Sequence, residues 1–317
     1  MEVFKWSVGD GPQGNATFCC AIGNFDGVHV GHQYMLERAR NKAHTSGMSF
    51  GVVTFNPHPH LFFSPDAPPF LLTDSAMKYK KLADAGVEHI LEVKFDEALR
   101  QLSPDAFTRD VLATSLNVRH LFAGADFCFG KGRSGSLSDL AEIGKTCQLM
   151  VTPTDLYLDD KDKVVSSSRI RDALRDGNIR LATQMLGGSP VISGIVEMGD
   201  QRGRLLSFPT ANIQMGKLLQ PALGVYAVVA SIQGEDAEYQ GVCNIGRRPT
   251  VNDRGVLAET HLFAFDRDIY GKVLNVHLKG FLRCEQKFDG LDALQSQIAR
   301  DAEAARVMLD ILPIETA

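Results

Sequence analysis

Two patterns of hydrophobic and polar positions alternate along the first half of the chain. Short, nearly continuous apolar runs occupy residues 17–23, 48–55, 89–95, 119–124 and 147–153. Runs of this length and composition are typical of strands that are buried on both faces of a sheet. We therefore predict that these five segments are strands.

Segments with helical spacing separate these strands, and residues that start or stop helices mark their ends. Ser103 precedes Pro104, which would occupy the first helical position. Thr73 or Asp74 is a candidate cap, and Gly86 is a stop signal. The predicted helices cover residues 32–43, 73–86, 103–116 and 136–144. The alternation indicates an α/β domain with a Rossmann-like parallel sheet, in which ligands bind beyond the carboxyl ends of the strands.

After residue 186 the pattern changes to β-branched and aromatic runs, separated by glycine and asparagine turns. These runs occupy residues 191–198, 224–232, 239–246, 259–265 and 273–282. Helical spacing returns only at about 291–312. The pattern predicts a small antiparallel β-barrel that is followed by a terminal helix. We therefore expect two domains, residues 1–186 and 187–317.

Composition excludes several classes of function. The net charge of -5 argues against a nucleic-acid surface, because such a surface carries an excess of basic residues. The six cysteines form no C-x-x-C pair and lie mostly in apolar runs, which indicates free thiols in a reducing compartment. The start, MEVFKWSVGDG, lacks the features of a secretion signal, and no apolar run reaches the ~20 residues that a membrane span needs. We expect a cytoplasmic protein that binds neither nucleic acid nor membranes.

The stretch GNFDGVHVGH, residues 23–32, follows the first predicted strand and carries two histidines. Three interpretations are open: a metal site, a phosphate-binding turn, or a turn whose histidines are incidental. Gly23, Gly27 and Gly31 permit positive φ and a close approach of a ligand, and a helix N-terminus attracts phosphate. The metal interpretation lacks a third ligand. We expect His29 and His32 to donate hydrogen bonds to a phosphate as its negative charge develops.

A second polar cluster lies in VSSSRIRDAL, residues 165–174. It offers three consecutive hydroxyls, of Ser166, Ser167 and Ser168, followed by Arg171. Hydroxyls and free N–H groups at a helix start, with an arginine one turn further on, can hold a polyphosphate. The alternative is an ordinary serine-capped helix with solvated arginines. The histidine turn earlier in the same predicted domain favours the phosphate clamp.

These two stretches resemble the H-x-G-H and I-S-S-T-x-I-R motifs of the α/β-phosphodiesterase nucleotidyltransferases. A closer resemblance, to the bacterial bifunctional riboflavin kinases/FMN adenylyltransferases, is carried by IGNFDGVHVGHQ, TFNPHP, LLTDSAMKYKKL and GADFCFGKGRSG. The second half is similar to the kinase half of that family in GDQRGRLLSFPTANI, GVYAV, NIGRRPT, ETHLFAFDRDIYG and FLRCEQKF. The segments follow in the family's order and cover nearly the whole chain.

The resemblance implies two reactions with ATP as co-substrate and Mg²⁺ as cofactor. In the barrel, riboflavin would be phosphorylated to FMN. In the α/β domain, FMN would be adenylylated to FAD with release of pyrophosphate, and His29 and His32 would stabilise the α-phosphate. The other implied nucleotide- and phosphate-binding residues of that domain are Gly23, Asn24, Asp26, Gly27, Gly31, Asp126, Ser166, Ser167, Ser168 and Arg171.

In the second half, the chemistry of three residues agrees with a kinase site. Thr210 and Asn212 lie two residues apart, so that in a strand their side chains share one face and offer oxygens to Mg²⁺. Glu259, which we expect to open a strand, can accept the proton of an attacking hydroxyl. For Thr210 and Asn212 the alternative is a β-turn or a polar pair at a sheet edge, and for Glu259 it is a solvent-facing strand residue.

The loop of residues 199–204 is a candidate for the phosphates of ATP, although it is not a Walker A sequence. Its candidate residues are Gly199, Arg202, Gly203 and Arg204. The resemblance adds three flavin contacts, Phe208, Asn244 and Arg283. For Arg283 the alternative is a cation on the barrel surface.

Three residues depart from the family pattern. Ser207 stands where glycine is usual before F-P-T-A-N, Cys128 stands where arginine is frequent, and Ser168 replaces threonine but keeps the hydroxyl. Ser207 and Cys128 keep open a competing hypothesis, in which the chain binds flavin without turnover. Another alternative is an H-x-G-H adenylyltransferase for a different phosphorylated substrate. An aminoacyl-tRNA synthetase is disfavoured, since the chain is short and acidic and has no K-M-S-K-S-like loop. The oligomeric state stays open, a homo-oligomer included.

Overall fold

The computed structural model describes residues 1–12, 14–198, 208–247 and 255–311. The chain divides by its contacts into two compact units. The first consists of Met1–Ala67 and Lys78–Val165, and the second of Pro68–Met77 and Ser166–Ala317. This division assigns residues 166–186 to the second unit. The domain boundary after residue 186 stays a prediction.

A parallel sheet is the centre of the first unit, as the sequence predicted, but it has six strands and not five, because the segment Glu2–Trp6, which was not predicted as a strand, pairs with His89–Lys94. Its order is β1-β4-β3-β2-β5-β6. The strands are β1 (Glu2–Trp6), β2 (Phe18–Ile22), β3 (Ser49–Asn56), β4 (His89–Lys94), β5 (Val118–Gly124) and β6 (Met150–Thr154). Every residue of β2 is buried, because helices cover both faces of the sheet.

Helices in two layers account for this burial. They are α1 (Val30–Ser46), α2 (Pro59–Phe63), α3 (Ser75–Asp84), α4 (Glu97–Arg100), α5 (Pro104–Ala106) with its π-helical continuation (Phe107–Ser115), a 3-10 turn (Lys131–Arg133) and α6 (Leu137–Thr146). On one face, Val52 of β3 packs in a core with Leu36 of α1 and Leu82 of α3. On the other, Val53 packs with Leu112 and with Leu140 of α6.

The predicted helix caps at Ser103 and Asp74 are confirmed. Ser103 Oγ accepts a hydrogen bond from the Ala106 N–H, and Asp74 Oδ1 accepts one from the Met77 N–H. The first helix begins at Val30, two residues earlier than predicted, because the imidazole of His29 takes the place of the usual capping oxygen. Strand β6 begins three residues later than predicted, because Cys147 still ends α6.

The second unit contains a closed antiparallel barrel, which confirms the second predicted architecture. Its order is β10-β11-β8-β7-β12-β9. The strands are β7 (Val191–Glu197), β8 (Ala211–Gln214), β9 (Gly224–Ile232), β10 (Glu238–Arg247), β11 (Val256–Leu262) and β12 (Val273–Cys284). The helices are α7 (Ser167–Arg175), α8 (Ile179–Leu186) and the terminal α9 (Leu291–Ile311). Among the described helices, none is long and apolar enough to cross a membrane.

Two positions in the barrel differ from the sequence-based expectation. Glu259 lies in the middle of β11 and does not open it, because pairing with β10 and β8 extends the strand back to Val256. Thr210 directly precedes β8 and is not part of it, so the shared-face argument does not place its side chain beside that of Asn212.

Candidate active sites

The histidine turn lies at the carboxyl end of β2, at the point where the order of the sheet reverses. Strand β2 continues through α1 to β3 on one side, whereas its other neighbour is the later strand β5. The Gly23 N–H donates to the Val53 carbonyl and so begins the turn against β3. In parallel α/β sheets, the crevice at such a reversal is where ligands bind.

The backbone of this turn adopts an unusual conformation. Phe25, Gly27 and Val28 have φ values of 51°, 84° and 46°. For a residue with a side chain, this region costs on the order of 1–3 kcal/mol, and it persists only where the surroundings impose it. Both non-glycine side chains are fully buried in the core beneath α1, which supplies that constraint. Gly23, Gly27 and Gly31 all permit positive φ, but among them only Gly27 adopts it.

His29 caps α1 with its ring. Its Nδ1 atom accepts the His32 backbone N–H at 3.2 Å, so the ring proton lies on Nε2 in the neutral form. Gly31 leaves room for this arrangement, because a Cβ atom there would lie 3.2 Å from the His29 ring. Glycine is therefore required at position 31 to leave space for the His29 ring, and not to adopt a special backbone conformation.

His32 stacks on His29 with a ring-centroid distance of 3.6 Å and an interplanar angle of 16°. The edge of Phe25 contacts it from another side, at 5.2 Å between centroids. Burial and the neighbouring His29 hold the pKa of His32 well below its usual range. Its ring is partly exposed, but Nδ1 is buried and makes no hydrogen bond within the described part of the chain. Near neutral pH His32 is therefore an uncharged imidazole.

Asn24 and Asp126 lie at the ends of neighbouring strands. The Asn24 carbonyl accepts a hydrogen bond from Thr54 Oγ1 at 3.4 Å. Asp126 is exposed beyond β5, and its Oδ1 lies 3.0 Å from the position that a Cβ atom of Gly124 would take. Both residues thus lie at the edge of the sheet that carries the histidine turn.

The predicted phosphate clamp belongs to the second unit. Ser166 caps α7, and its Oγ accepts the Arg169 N–H. Arg171 donates from Nε to the Phe70 carbonyl at 2.8 Å, and its guanidinium lies 4.5 Å from the centroid of the Phe70 ring. The helix is thus serine-capped, and binding of phosphate by Ser166, Ser167, Ser168 and Arg171 stays a prediction.

A cluster of phenylalanines, which the sequence analysis missed, lies at the carboxyl ends of β3, β4 and β5. Phe95 contacts three others, Phe55, Phe62 and Phe63, at centroid distances of 5.9, 5.3 and 5.7 Å. Phe55 continues the cluster to Phe107, which contacts Phe129, which in turn stacks on Phe127. The available signal was a phenylalanine at the last position of two successive predicted strands, Phe55 and Phe95.

In the barrel, strand register brings three predicted residues into one row. Glu259 of β11 pairs with Asn212 of β8 on one side and with Asn244 of β10 on the other. Directly opposite residues of antiparallel strands project to the same face. The row continues to Val225 of β9, which packs in one cluster with Ala305 of α9. The three polar residues therefore lie on the outer face of the barrel, on which α9 packs.

The oxygens beside Glu259 suit a hard cation. Asn212 is 6% exposed, and its Nδ2 donates to the Thr210 carbonyl at 3.3 Å. The Nδ1–H of His261, two residues after Glu259, donates to the Pro209 carbonyl at 2.9 Å. Mg²⁺ takes only one or two protein oxygens together with substrate phosphates and water, which fits this set. Across the described ranges, no group of three His, Cys, Asp or Glu side chains could hold a metal ion.

The predicted flavin contacts have different surroundings. Arg283 forms two short hydrogen bonds with the carboxylate of Asp301 on α9, at 2.8 and 2.6 Å, and Nη1 donates to the Cys284 carbonyl. Phe208 packs edge-on against His261 at 5.3 Å. The loop residues Gly199, Arg202, Gly203 and Arg204, and the departure at Ser207, lie outside the described residues.

Comparisons with known proteins cover both halves of the chain. The family model described as FAD synthetase matches residues 12–169, and the one described as riboflavin kinase matches residues 186–309. A bifunctional riboflavin kinase/FMN adenylyltransferase from Bacillus subtilis is 39% identical over 292 residues, with 90% of each chain covered. The protein of the same name from Escherichia coli K12 is 39% identical over 285 residues, again with 90% of each chain covered.

The fold also has a counterpart among solved structures. A crystal structure described as a macrolide-efflux protein from Streptococcus pneumoniae matches with a TM-score of 0.81 and 29% sequence identity. The match covers 95% of this chain and 98% of that chain.

Proposed function

The chain belongs to the bifunctional riboflavin kinase/FMN adenylyltransferase family, and on that premise we propose which of its residues carry out the two reactions. The protein phosphorylates riboflavin to FMN with ATP, and it adenylylates FMN to FAD with release of pyrophosphate. The observation that carries the assignment is the succession of two family matches along one chain, each over its own fold and its own polar cluster.

Adenylyl transfer is assigned to the histidine turn. An oxygen of the FMN phosphate attacks the α-phosphorus of ATP, the bond from that phosphorus to the bridging oxygen breaks, and pyrophosphate leaves. Because a phosphate oxygen is already ionised at neutral pH, the reaction needs no protein nucleophile. His29 donates from Nε2–H, and the uncharged imidazole of His32 donates a second hydrogen bond, to the charge that develops on the α-phosphate.

The remaining residues of this site have positioning roles in the proposal. Asn24 and Asp126, at the ends of β2 and β5, orient the nucleotide, and the backbone from Gly23 to Gly31 approaches its phosphates. Asp26 is buried within the turn, and its proposed role is to stabilise the conformation of the turn. The hydroxyls of Ser166, Ser167 and Ser168 and the guanidinium of Arg171 stay candidates for the outer phosphates.

The phenylalanine cluster is a suitable surface for the isoalloxazine ring of FMN. A flat aromatic ring stacks on aromatic faces and edges, and each such contact is worth about 0.5–1.5 kcal/mol beyond the burial of area. Phe63 is 57% exposed, so part of the cluster is open to a ligand. The cluster lies at the same edge of the sheet as the histidine turn, which suits a substrate whose phosphate must reach that turn.

Phosphorylation of riboflavin is assigned to the polar row of the barrel. The ribityl 5′-hydroxyl attacks the γ-phosphorus of ATP, and the Glu259 carboxylate accepts the hydroxyl proton as the bond to ADP breaks. Thr210 and Asn212 are the residues that would hold Mg²⁺. When bound, Mg²⁺ neutralises charge on the ATP phosphates. Asn244, beside Glu259 in the row, is placed to orient the flavin.

Phe208 and Arg283 are proposed as further flavin contacts, and Gly199, Arg202, Gly203 and Arg204 as contacts to the ATP phosphates. The ion pair of Arg283 with Asp301 supports a role as an anchor of α9 in addition. The free cysteines Cys19, Cys20 and Cys243 are buried, which supports a reducing, cytoplasmic location.

The assay that tests the function uses the purified protein with riboflavin, ATP and Mg²⁺, and follows the flavins by chromatography. We expect FMN first and FAD afterwards, and no product when a chelator removes Mg²⁺. Absence of FMN would contradict the kinase assignment. Absence of FAD from added FMN would contradict the adenylyltransferase assignment. Binding of flavin without either product would favour the module without turnover.

A further inference from the structure

A buried lysine lies beside the histidine turn, and the chemistry above gives it no role. Lys78 is on α3 and is only 9% exposed. Lysine is almost never buried to this extent unless it is paired, because removing its charge from water is costly. Its surroundings therefore need an explanation.

The ammonium of Lys78 reaches the carboxyl ends of β3 and β4. Its Nζ lies 3.3 Å from Thr54 Oγ1 in β3. Thr54 pairs with Glu92 of β4, so their side chains share the face of the sheet that α3 covers. Glu92 is itself buried and accepts a hydrogen bond from Asn56 Nδ2 at 3.1 Å.

Two carboxylates face the lysine. Burial lowers the pKa of Lys78, and the negative charges of Glu92 and then Asp26 oppose that shift. Glu92 belongs to β4, and Asp26 belongs to the histidine turn and is buried. The lysine thus joins α3, the sheet and the turn by charge.

A chain of hydrogen bonds also runs from the lysine to the turn. An ammonium can only donate, so the Thr54 hydroxyl must accept from Lys78. The hydroxyl proton is then left to donate to the Asn24 carbonyl, at 3.4 Å. Lys78 therefore orients the hydrogen bond that holds Asn24, directly before the strained segment from Phe25 to Val28.

We propose that Lys78 is a positioning residue for adenylyl transfer. Together with Thr54, Glu92 and Asp26 it holds the strained turn, and through the turn it holds His29 and His32 in their reactive positions. The inference rests on the proposed role of the two histidines. It assigns no contact between Lys78 and substrate, and it concerns only the adenylyltransferase reaction.

The test compares Lys78→Met with the matched control Lys80→Met. Methionine keeps the length of the buried stem and removes the charge and the donor. Lys80 is on the same helix but exposed, where it pairs with Asp84. For Lys78→Met we expect kcat of FAD formation from FMN to fall by about 30- to 100-fold, since misplacement of a reactive group costs that order of rate. We expect little change in KM, unchanged riboflavin phosphorylation in the same molecule, and no effect of Lys80→Met.

A second variant separates positioning from folding. Arginine keeps its charge at all accessible pH values, whereas the lowered pKa of Lys78 makes it lose its proton at a lower pH than an ordinary lysine. The kcat of FAD formation should therefore fall at alkaline pH in the unaltered protein, and in Lys78→Arg this fall should move to higher pH.

Three results bear on the inference in different ways. An unchanged kcat in Lys78→Met would overturn it. The inference would also be overturned if Lys78→Met lost FAD formation together with a lowered unfolding temperature, and if the alkaline fall of kcat stayed at the same pH in Lys78→Arg. The role of the lysine would then be only structural. Failure of the unaltered protein to form FAD would overturn the proposed function itself.

Discussion

The two histidines of the turn have different tasks at the scale of single residues. The Nδ1 atom of His29 accepts the hydrogen bond that caps α1, which leaves Nε2–H as the donor of this ring. His32 is kept uncharged by burial and by the His29 ring that stacks on it. Their spacing in H-x-G-H predicted a phosphate-binding pair. It did not predict the cap, because the usual capping residues are serine, threonine, aspartate and asparagine.

The depressed pKa of His32 makes the first unit sensitive to acid. The pKa is lower in the folded than in the unfolded chain, so between those two values the unfolded chain binds more protons. Stability therefore rises with pH across that window and is lost as pH falls below the unfolded value of about 6.5. We expect the unfolding temperature to drop between pH 7.5 and pH 5, and His32→Gln to reduce the drop.

Tryptophan fluorescence can measure this drop in the first unit. Trp6 is the one tryptophan of the chain and is buried in the core of that unit. His120, whose pKa burial also lowers, contributes to the same slope, so His120→Gln is the matched comparison. An identical pH dependence in His32→Gln and in the unaltered protein would show that His32 is not held neutral by folding.

At the scale of elements, local signals predicted most helices and strands, whereas strand pairing determined the features that local signals could not predict. Ser103, Asp74 and Gly86 marked helix ends because capping depends on neighbouring residues. The π-helical segment Phe107–Ser115 carries no comparable local signal. The row of Asn212, Glu259 and Asn244 could not be predicted either, because the register of β8, β11 and β10 depends on contacts distant in sequence.

An ion pair joins the terminal helix α9 to the barrel, in addition to the apolar cluster that Ala305 forms with Val225. Arg283 of β12 binds the Asp301 carboxylate through two nitrogens, and Gln297 donates to the same carboxylate. Asp301 is buried and Arg283 is partly buried, so removal of the carboxylate leaves the guanidinium without this partner, and we expect Asp301→Ala to lower the free energy of unfolding by about 1–3 kcal/mol. Arg283→Met with Asp301→Leu should recover most of that loss, because no unpaired charge remains.

Amide hydrogen exchange in α9 measures the effect of this ion pair. Glu303→Ala, which breaks an exposed pair with Arg306 on the same helix, is the control and should have no measurable effect. If Asp301→Ala changed amide exchange in α9 as little as Glu303→Ala does, the ion pair would not hold the helix. A raised KM for riboflavin in the stable double variant would support the flavin contact proposed for Arg283.

At the scale of the whole molecule, two folds carry two reactions along one chain. The order of motifs predicted both, since each set of residues follows the pattern of one half of the family. The division by contacts, which groups residues 166–186 with the barrel, was not predictable from the motifs. The division depends on which unit α7 and α8 pack against, and no pattern of residues in that segment specifies the unit.

The central claim is that each reaction has its own site, and two single substitutions test it most directly. Glu259→Gln should lower FMN formation by about 10²- to 10⁴-fold, because it removes the proton acceptor. The same variant should convert added FMN to FAD at the unaltered rate. His32→Ala should lower FAD formation by about 10²- to 10³-fold, because it removes a donor to the α-phosphate, and should leave FMN formation unchanged. Loss of both activities in either correctly folded variant would contradict two separate sites.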